Sequence, residues 1–252
     1  MTLDEIAETL RTADPDRFAA SLAAPEAARP ALWTLYALNL ELARAPLQSN
    51  EPMIAEMRVQ WWVDQLHKLS LGHNGAHEIL PLLAEAWGPA AGEFAALAEA
   101  RRRDCDRIPF ATNDEVVDYI RETAGPLMQA AARHLGAPSA AQAVIADQAL
   151  ALGLAHWLAA LPALEELGLG LSVRDPARIS DLARRGLEAL DRARKGRKSV
   201  PKTAAPALFS GAEVRPFLTA LAADGDANPP AASEFQRRFA LLRLALFGRW
   251  WG

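Results

Sequence analysis

Apolar residues along this chain recur at intervals of three and four positions, the spacing that places side chains on one face of an α-helix. The segment that begins at Asn113 is an example, because Asp114, Glu115 and Arg121 fall mostly off its apolar face. That face consists of Val116, Val117, Ile120, Ala124, Leu127, Met128 and Ala131. No run alternates apolar and polar residues with β-branched character, so we predict an all-α protein without a sheet.

Local signals mark the ends of the predicted helices. Thr2, Thr112, Ser139 and Ser233 each precede a Glu or Gln by three positions, which is the capping-box spacing, and Asp175 precedes a proline. The predicted helices span residues 3–11, 15–23, 26–45, 51–71, 77–87, 91–105, 113–135, 139–167, 176–195, 203–223 and 232–249. The loops between them are too short to require a second domain, so we predict a single domain over residues 1–252.

Two apolar segments raise the question of a membrane. Residues 148–164 carry no charge, but this stretch of 17 residues contains Gln148, His156 and Pro162, and it is short for a membrane span. We therefore predict a buried core helix there. Residues 232–252 form a basic amphipathic segment that ends in Trp250 and Trp251, and both a membrane or partner contact and packing as the last helix of a bundle stay open.

The composition supports a folded core and excludes several classes of function. The chain has 252 residues, of which 51% are apolar and 23% charged, and its formal net charge is −4. This balance supports a globular protein and argues against broad attraction to nucleic acid. The single cysteine, Cys105, excludes an internal disulfide framework and a multi-thiolate zinc site. Because the acidic N-terminus lacks a targeting pattern, we expect a cytoplasmic protein.

The histidines fit no metal-binding motif. His67, His73 and His77 lie close together in the chain, but their spacing matches no tight motif, so surface histidines are favoured. His156 lies on the most apolar predicted helix, where a hydrogen-bonded core histidine is favoured over a functional one.

The other candidate sites are similarly weak. Asp114 and Asp118 share a helix face and could hold a divalent cation, although an acid at a helix start is expected to complement the helix dipole. The arginines around Cys105 would lower the pKa of its thiol, and the neighbouring aspartates would oppose that effect. Neither a Gly-rich phosphate loop nor a dinucleotide fingerprint occurs.

Four segments, in the same order along the chain, resemble the squalene/phytoene synthase family. Residues 29–39 read RPALWTLYALN, like the family's Arg…Leu-Tyr-Ala-Phe helix, and residues 60–66 read QWWVDQL, like its Trp-Arg-x-x-Leu helix. Residues 118–125 read DYIRETAG, similar to Tyr-Cys-x-x-x-Ala-Gly, and residues 151–157, ALGLAHW, stand where the family has Gly-x-Ala-x-Gln. The resemblance implies a single all-α bundle of the isoprenoid synthase type, with a central cavity.

The resemblance also implies a chemistry for which this chain lacks the family's residues. Family enzymes join two prenyl diphosphates head to head, and Asp-rich motifs on two facing helices hold the Mg²⁺ that neutralises the departing diphosphate. At the first motif this chain has Ala43, Arg44 and Leu47, and at the second it reads ALPAL over residues 160–164. Conventional prenyl transfer is therefore not expected.

One catalytically degenerate branch of the family is especially similar. Residues 35–44 read LYALNLELAR and residues 50–62 read NEPMIAEMRVQWW, which resemble the mitochondrial complex I assembly factor of the family and similar short bacterial proteins. This resemblance implies a protein without catalytic residues, metal ligands or a cofactor, which binds a protein partner in respiratory complex I assembly. The resemblance also implies an isoprenoid or lipid ligand and a location at the inner face of the inner membrane. The residues expected to line the cavity or a partner surface are Tyr36, Glu41, Arg44, Glu51, Arg58, Trp62, Tyr119, Arg121 and His156.

Two alternatives remain open at this point. The chain could be an active Mg²⁺-dependent prenyltransferase of isoprenoid biosynthesis, in which Glu41, Glu51 or Glu165 would replace the missing aspartates. It could also be an unrelated helical scaffold. Mg²⁺-dependent binding of a prenyl diphosphate distinguishes the enzyme from the degenerate relative, and a deep cavity distinguishes both from the scaffold.

Overall fold

The predicted all-α fold is confirmed by a computed structural model of the chain, which describes residues 1–73, 75–229 and 231–251. These residues form eleven α-helices joined by 3₁₀ turns and no β-strand. Two compact units can be distinguished within the chain, and we call them the N-terminal unit (Met1–Ile108) and the C-terminal unit (Pro109–Gly252).

The N-terminal unit contains six helices. They are α1 (Leu3–Ala13), α2 (Pro15–Ser21), α3 (Arg29–Arg44), α4 (Pro52–Ser70), α5 (Leu80–Trp87) and α6 (Ala95–Glu99). Helix α1 packs on α3, and α4 packs on α6 and on the 3₁₀ turn Gly88–Phe94. This turn lies so close to the end of α4 that position 92 must be glycine, because a Cβ atom at Gly92 would lie 2.5 Å from the Cβ atom of Ser70. The core of the N-terminal unit is largely aliphatic, and its fully buried side chains include Ile6, Leu10, Leu32, Leu35, Leu66, Leu80 and Leu83.

The C-terminal unit contains five helices, with α8 packed between α7 and α9. They are α7 (Asn113–His134), α8 (Gln142–Glu166), α9 (Pro176–Lys195), α10 (Val214–Ala223) and α11 (Glu234–Phe247). By length and composition, Ser139–Glu166 could cross a membrane, but 72% of its most apolar window is buried within the protein. The prediction of a core helix over residues 148–164 is therefore confirmed. Inside this core, the Gln148 side-chain amide donates to the carbonyl oxygen of Leu208 at 2.7 Å.

Of the five residues that the sequence predicts as helix caps, four cap a helix, including Asp175, and one does not. Thr2 and Ser233 form reciprocal capping boxes with Glu5 and Gln236, and the side chain of Thr112 accepts a bond from the first turn of α7. The prediction for Ser139 is wrong, because this residue lies inside a 3₁₀ turn, Ser139–Ala141, and caps nothing.

Two predicted helices are interrupted. The segment predicted as one helix over 203–223 is a 3₁₀ turn, Lys202–Leu208, followed by a loop and then α10. Pro206 has no N–H to donate to an α-helical ladder, and Gly211 has φ +68°, outside the helical region. The segment predicted over 91–105 likewise consists of α6 between two 3₁₀ turns.

Candidate functional site

A groove of about 520 Å³ opens on the N-terminal unit between the end of α3, the turn that follows it, and α4. The α3 helix ends at Arg44 and continues as a 3₁₀ turn, Ala45–Gln48, before α4 begins at Pro52. The groove is lined by Glu41, Ala45, Gln48, Ile54, Met57, Arg58, Trp61, Trp62 and His77. Most of these side chains belong to α4, so the groove depends on which face of α4 the core leaves uncovered.

One wall of the groove is aromatic. The rings of Trp61 and Trp62 meet edge to face with centroids 5.1 Å apart, and the Trp62 ring lies 4.8 Å from the imidazole of His77. Trp62 is only 5% exposed and belongs to the core, whereas Trp61 is exposed. The neighbouring tryptophans therefore have different tasks, since Trp62 anchors α4 and Trp61 presents its ring to solvent.

The polar side of the groove carries the acidic side chain of Glu41 and the guanidinium of Arg58, and each makes a polar contact with a neighbouring residue. An Nη atom of Arg58 donates to the Gln48 side-chain oxygen at 2.8 Å. The Glu41 carboxylate accepts from Arg44 at 3.4 Å. Both arginines are largely exposed, so these contacts orient the side chains and add little stability. The groove can therefore bind a ligand or partner with an apolar body and a small polar component.

An exposed apolar stripe continues from the groove along α4. It consists of Met53, Ile54, Met57 and Trp61, which are between 37 and 75% exposed, and we call it the α4 stripe. Met53, Met57 and Trp61 recur at four-residue intervals and so share one face of the helix. The opposite face of α4 is buried through Ala55, Val59 and Leu66. Both faces of α4 are thus apolar, and this was the sequence signal that could have identified Ile54, Met57 and Trp61 as site residues.

The structure brings three of the predicted site residues together in the groove, namely Glu41, Arg58 and Trp62. Arg44 and Glu51 are exposed outside the lining, with Arg44 paired to Glu41 and Glu51 at the start of α4. Tyr36 is buried beneath Arg17, whose guanidinium lies 5.6 Å from the ring centroid. Burial raises the pKa of Tyr36 to about 12, so its hydroxyl is neutral at physiological pH.

The other three predicted site residues belong to the C-terminal unit. Tyr119 lies in the core with its ring centroid 5.4 Å from that of Phe110. Arg121 forms an exposed pair with Asp118 at 3.1 Å. The prediction of a core histidine at 156 is wrong, because His156 lies on the exposed side of α8. Apolarity along a helix does not make every face buried, and the residues one turn further, at 159 and 160, are also exposed.

The weaker candidates form no reactive centre. No group of three or more His, Cys, Asp or Glu side chains that could hold a metal ion occurs in the part of the chain that the structure describes. Asp114 pairs with Arg185 at 2.5 Å, and Asp118 is paired with Arg121 as above. Burial, assisted by the nearby Asp104, raises the pKa of the Cys105 thiol to about 11, so it is protonated at neutral pH.

The Mg²⁺ and diphosphate that the fold implies do not fit the residues at the expected positions. At the first position, Ala43 and Leu47 offer no oxygen ligand and Arg44 is a cation. At the second, residues 160–164 are apolar. The nearby Glu165 accepts from Arg174 at 2.7 Å, and its other carboxylate oxygen is buried and has no hydrogen-bond partner among the described residues. A single carboxylate already bound to an arginine is a poor donor set for a metal that prefers several carboxylates.

Comparison with known proteins agrees with this fold. The family model described as squalene/phytoene synthase matches residues 10–169. A search of the curated proteins finds no match.

Solved structures of such enzymes are similar over almost the whole chain. A dehydrosqualene synthase crystallised with a ligand has a TM-score of 0.76 at 12% identity, with 96% of this chain and 94% of that chain covered. The squalene synthase HpnC from Alicyclobacillus acidocaldarius has a TM-score of 0.71 at 17% identity, with 88% and 91% covered. These likenesses show the isoprenoid synthase fold. With more than half of its length matched by the family model, the chain belongs to the squalene/phytoene synthase family.

Proposed function

We propose that this protein is a non-catalytic member of its family that binds a protein partner during assembly of respiratory complex I. The observation that carries the proposal is the groove with the adjoining α4 stripe. It lies on the segment that resembles the assembly-factor branch, residues 50–62, and it presents exposed methionine and tryptophan side chains in place of a carboxylate cluster.

The chemistry of the stripe supports a protein partner. Tryptophan, methionine and arginine are enriched at protein interfaces, and Trp61, Met57 and Arg58 occupy adjacent positions on α4. Exposed apolar side chains that share one helix face lose unfavourable contact with water when a partner covers them. The expected partner is an amphipathic helix or an apolar edge of an assembly intermediate, and its position is the cytoplasmic side of the inner membrane.

The donor set supports the non-catalytic part of the proposal. A diphosphate leaves only when its growing charge is neutralised, and the positions of the family's metal ligands here hold alanine, leucine, proline and arginine. The competing function is Mg²⁺-dependent prenyl transfer, for which family membership and the unpartnered oxygen of Glu165 are the supporting observations.

A turnover assay distinguishes the two functions. The purified protein is mixed with farnesyl and with geranylgeranyl diphosphate, with and without Mg²⁺, while diphosphate release and thermal unfolding are recorded. A dehydrosqualene synthase in the same assay is the positive control. We expect neither Mg²⁺-dependent release nor Mg²⁺-dependent stabilisation from this protein. Release that requires Mg²⁺ and is lost in Glu165→Gln would establish the enzyme and refute the binding role.

A further inference from the structure

The last helix of the C-terminal unit, α11, exposes an apolar face. Phe235, Phe239, Leu242 and Leu246 recur at intervals of four, three and four residues and are between 48 and 76% exposed; we call them the α11 stripe. The rings of Phe235 and Phe239 stack with centroids 6.1 Å apart. On the opposite face, Leu244 is only 2% exposed. The helix is therefore attached to the protein through one face and exposes the other.

Hydrogen bonds from Ser210 and Lys202 hold the C-terminal end of α11 and the residues after it in place. The carbonyl oxygen of Trp250, a residue only 2% exposed, accepts bonds at 3.0 Å from both the backbone N–H and the hydroxyl of Ser210. The ammonium of Lys202 donates to the carbonyl oxygen of Leu246 at 2.6 Å. Trp250 thus fits the core-packing alternative left open by the sequence, while the α11 stripe is presented on a fixed support.

Positive charge borders the α11 stripe. Residues 234–251 include four arginines and one acid, Glu234, which pairs with Arg238 at 2.7 Å. At about 100° of rotation per residue, Arg238 and Arg243 lie on opposite flanks of the stripe. The guanidinium of Arg243 lies 5.7 Å from the centroid of the Phe239 ring. An arginine beside an apolar face can pack its methylene groups against the apolar side chains while its guanidinium stays in the polar surroundings.

A cavity of about 640 Å³ lies beside the α11 stripe, between α10 and α11. Its lining includes Arg215, Arg243 and Arg249 and no acidic residue. Arg215 pairs with Asp191 at 2.7 Å. The guanidinium of Arg249 lies 5.8 Å from the centroid of the Trp251 ring, which also lines the cavity. With three arginines and no acidic residue in its lining, the cavity favours an anion that accepts hydrogen bonds from guanidinium groups.

We propose that α11 docks on an anionic phospholipid surface, with the α11 stripe at the acyl boundary and a lipid phosphate in the arginine cavity. The charge of the cavity and flanks matches such a surface, and the exposed side chains match its apolar layer. The proposal goes beyond partner binding in complex I assembly and uses none of the groove residues. Either proposal can therefore fail without the other.

The proposal is tested by co-flotation of the full-length protein with vesicles. One set is phosphatidylcholine alone, and the other is phosphatidylcholine mixed with phosphatidylglycerol. We expect binding to the anionic vesicles, weaker binding as salt is added, and far less binding to the neutral ones. The double variant Phe235→Ser/Leu242→Ser should lose roughly tenfold or more in vesicle affinity, because two apolar side chains no longer leave water. The double variant Arg238→Gln/Arg243→Gln should lose the preference for anionic vesicles.

Matched controls distinguish docking through α11 from nonspecific adsorption to vesicles and from misfolding. Leu71→Ser/Val173→Ser replaces two apolar side chains that are at least 64% exposed and lie outside the α11 stripe, and it should leave vesicle binding unchanged. Thermal unfolding checks that every variant is folded. Equal binding of both vesicle types, or unchanged binding of the stripe variant, would overturn the proposal. So would light scattering that shows a wild-type dimer, a monomeric stripe variant and no vesicle binding by either.

Discussion

Two glycines inside helices differ in what surrounds them. A Cβ atom at Gly153 of α8 would lie 2.4 Å from Cγ2 of Ile120 and 3.0 Å from Cβ of Ala124, both on α7. A Cβ atom at Gly125 of α7 would meet no residue outside its own helix within 4 Å, but the next residue is Pro126, whose ring crowds a side chain at the preceding helical position. Gly153 therefore permits the close approach of α7 and α8, and Gly125 relieves crowding beside the proline.

We predict different changes in the free energy of unfolding. Overpacking at Gly153→Ala costs about 1–3 kcal/mol and better helix propensity adds back at most about 1 kcal/mol, so the variant should be less stable. At Gly125→Ala the propensity gain of about 0.5–1 kcal/mol is offset by crowding against the Pro126 ring, so the change should be smaller than at Gly153. Urea unfolding followed by circular dichroism measures both values. A stabilised Gly153→Ala protein would contradict the packing described for these helices.

At the scale of single elements, α11 depends on its N-terminal cap. The hydroxyl of Ser233 accepts from the Gln236 N–H at 3.3 Å, and the Gln236 side chain accepts from the Ser233 N–H at 2.8 Å. Thr2 and Glu5 form the same arrangement at α1. The two capping boxes have the same chemistry, but only one of them supports the α11 stripe.

We predict that Ser233→Ala destabilises α11 by about 1 kcal/mol, the usual value of such a cap. Amide hydrogen exchange should become faster across α11, and affinity for anionic vesicles should fall because the docking helix is less often formed. Thr2→Ala is the matched control, with faster exchange confined to α1 and unchanged vesicle binding. Loss of vesicle binding in both variants would point to a general effect on the fold.

At the scale of the whole molecule, each unit carries its own candidate surface. The groove and the α4 stripe belong to the N-terminal unit, and the α11 stripe with its arginine cavity belongs to the C-terminal unit. Among the described residues that line the two surfaces, Glu41 is the single carboxylate, and the Asp-rich motifs of the family lie on neither surface. The proposed functions of the two surfaces can therefore be separated by substitution.

We predict that Met57→Ser/Trp61→Ser reduces assembled complex I in host cells that lack the native protein, as measured on blue native gels. Trp61 is 37% exposed and its ring packs against Trp62, so the variant should lose about 1–3 kcal/mol of stability, and thermal unfolding checks that it stays folded. The same variant should bind anionic vesicles like the wild type. Leu71→Ser/Val173→Ser serves again as the exposed control. Normal complex I in the Met57→Ser/Trp61→Ser cells would refute a partner role for the α4 stripe.

The sequence by itself determined the fold class, most helices and the family. Capping boxes at Thr2 and Ser233 and the three-and-four spacing of apolar residues act within a few residues, so they can be identified without knowledge of the fold. Three of the predicted site residues, Glu41, Arg58 and Trp62, also come together, because α3 and α4 are consecutive helices joined by a short turn.

Only the tertiary structure decided which apolar side chains face water. Trp61 and Trp62 are identical in type and adjacent in sequence, yet one is exposed and the other is part of the core. His156 was expected inside and lies outside, and the arginine cavity joins residues from α10, α11 and the segment after α11. Burial and charge clustering depend on contacts between distant parts of the chain, and local patterns do not encode them.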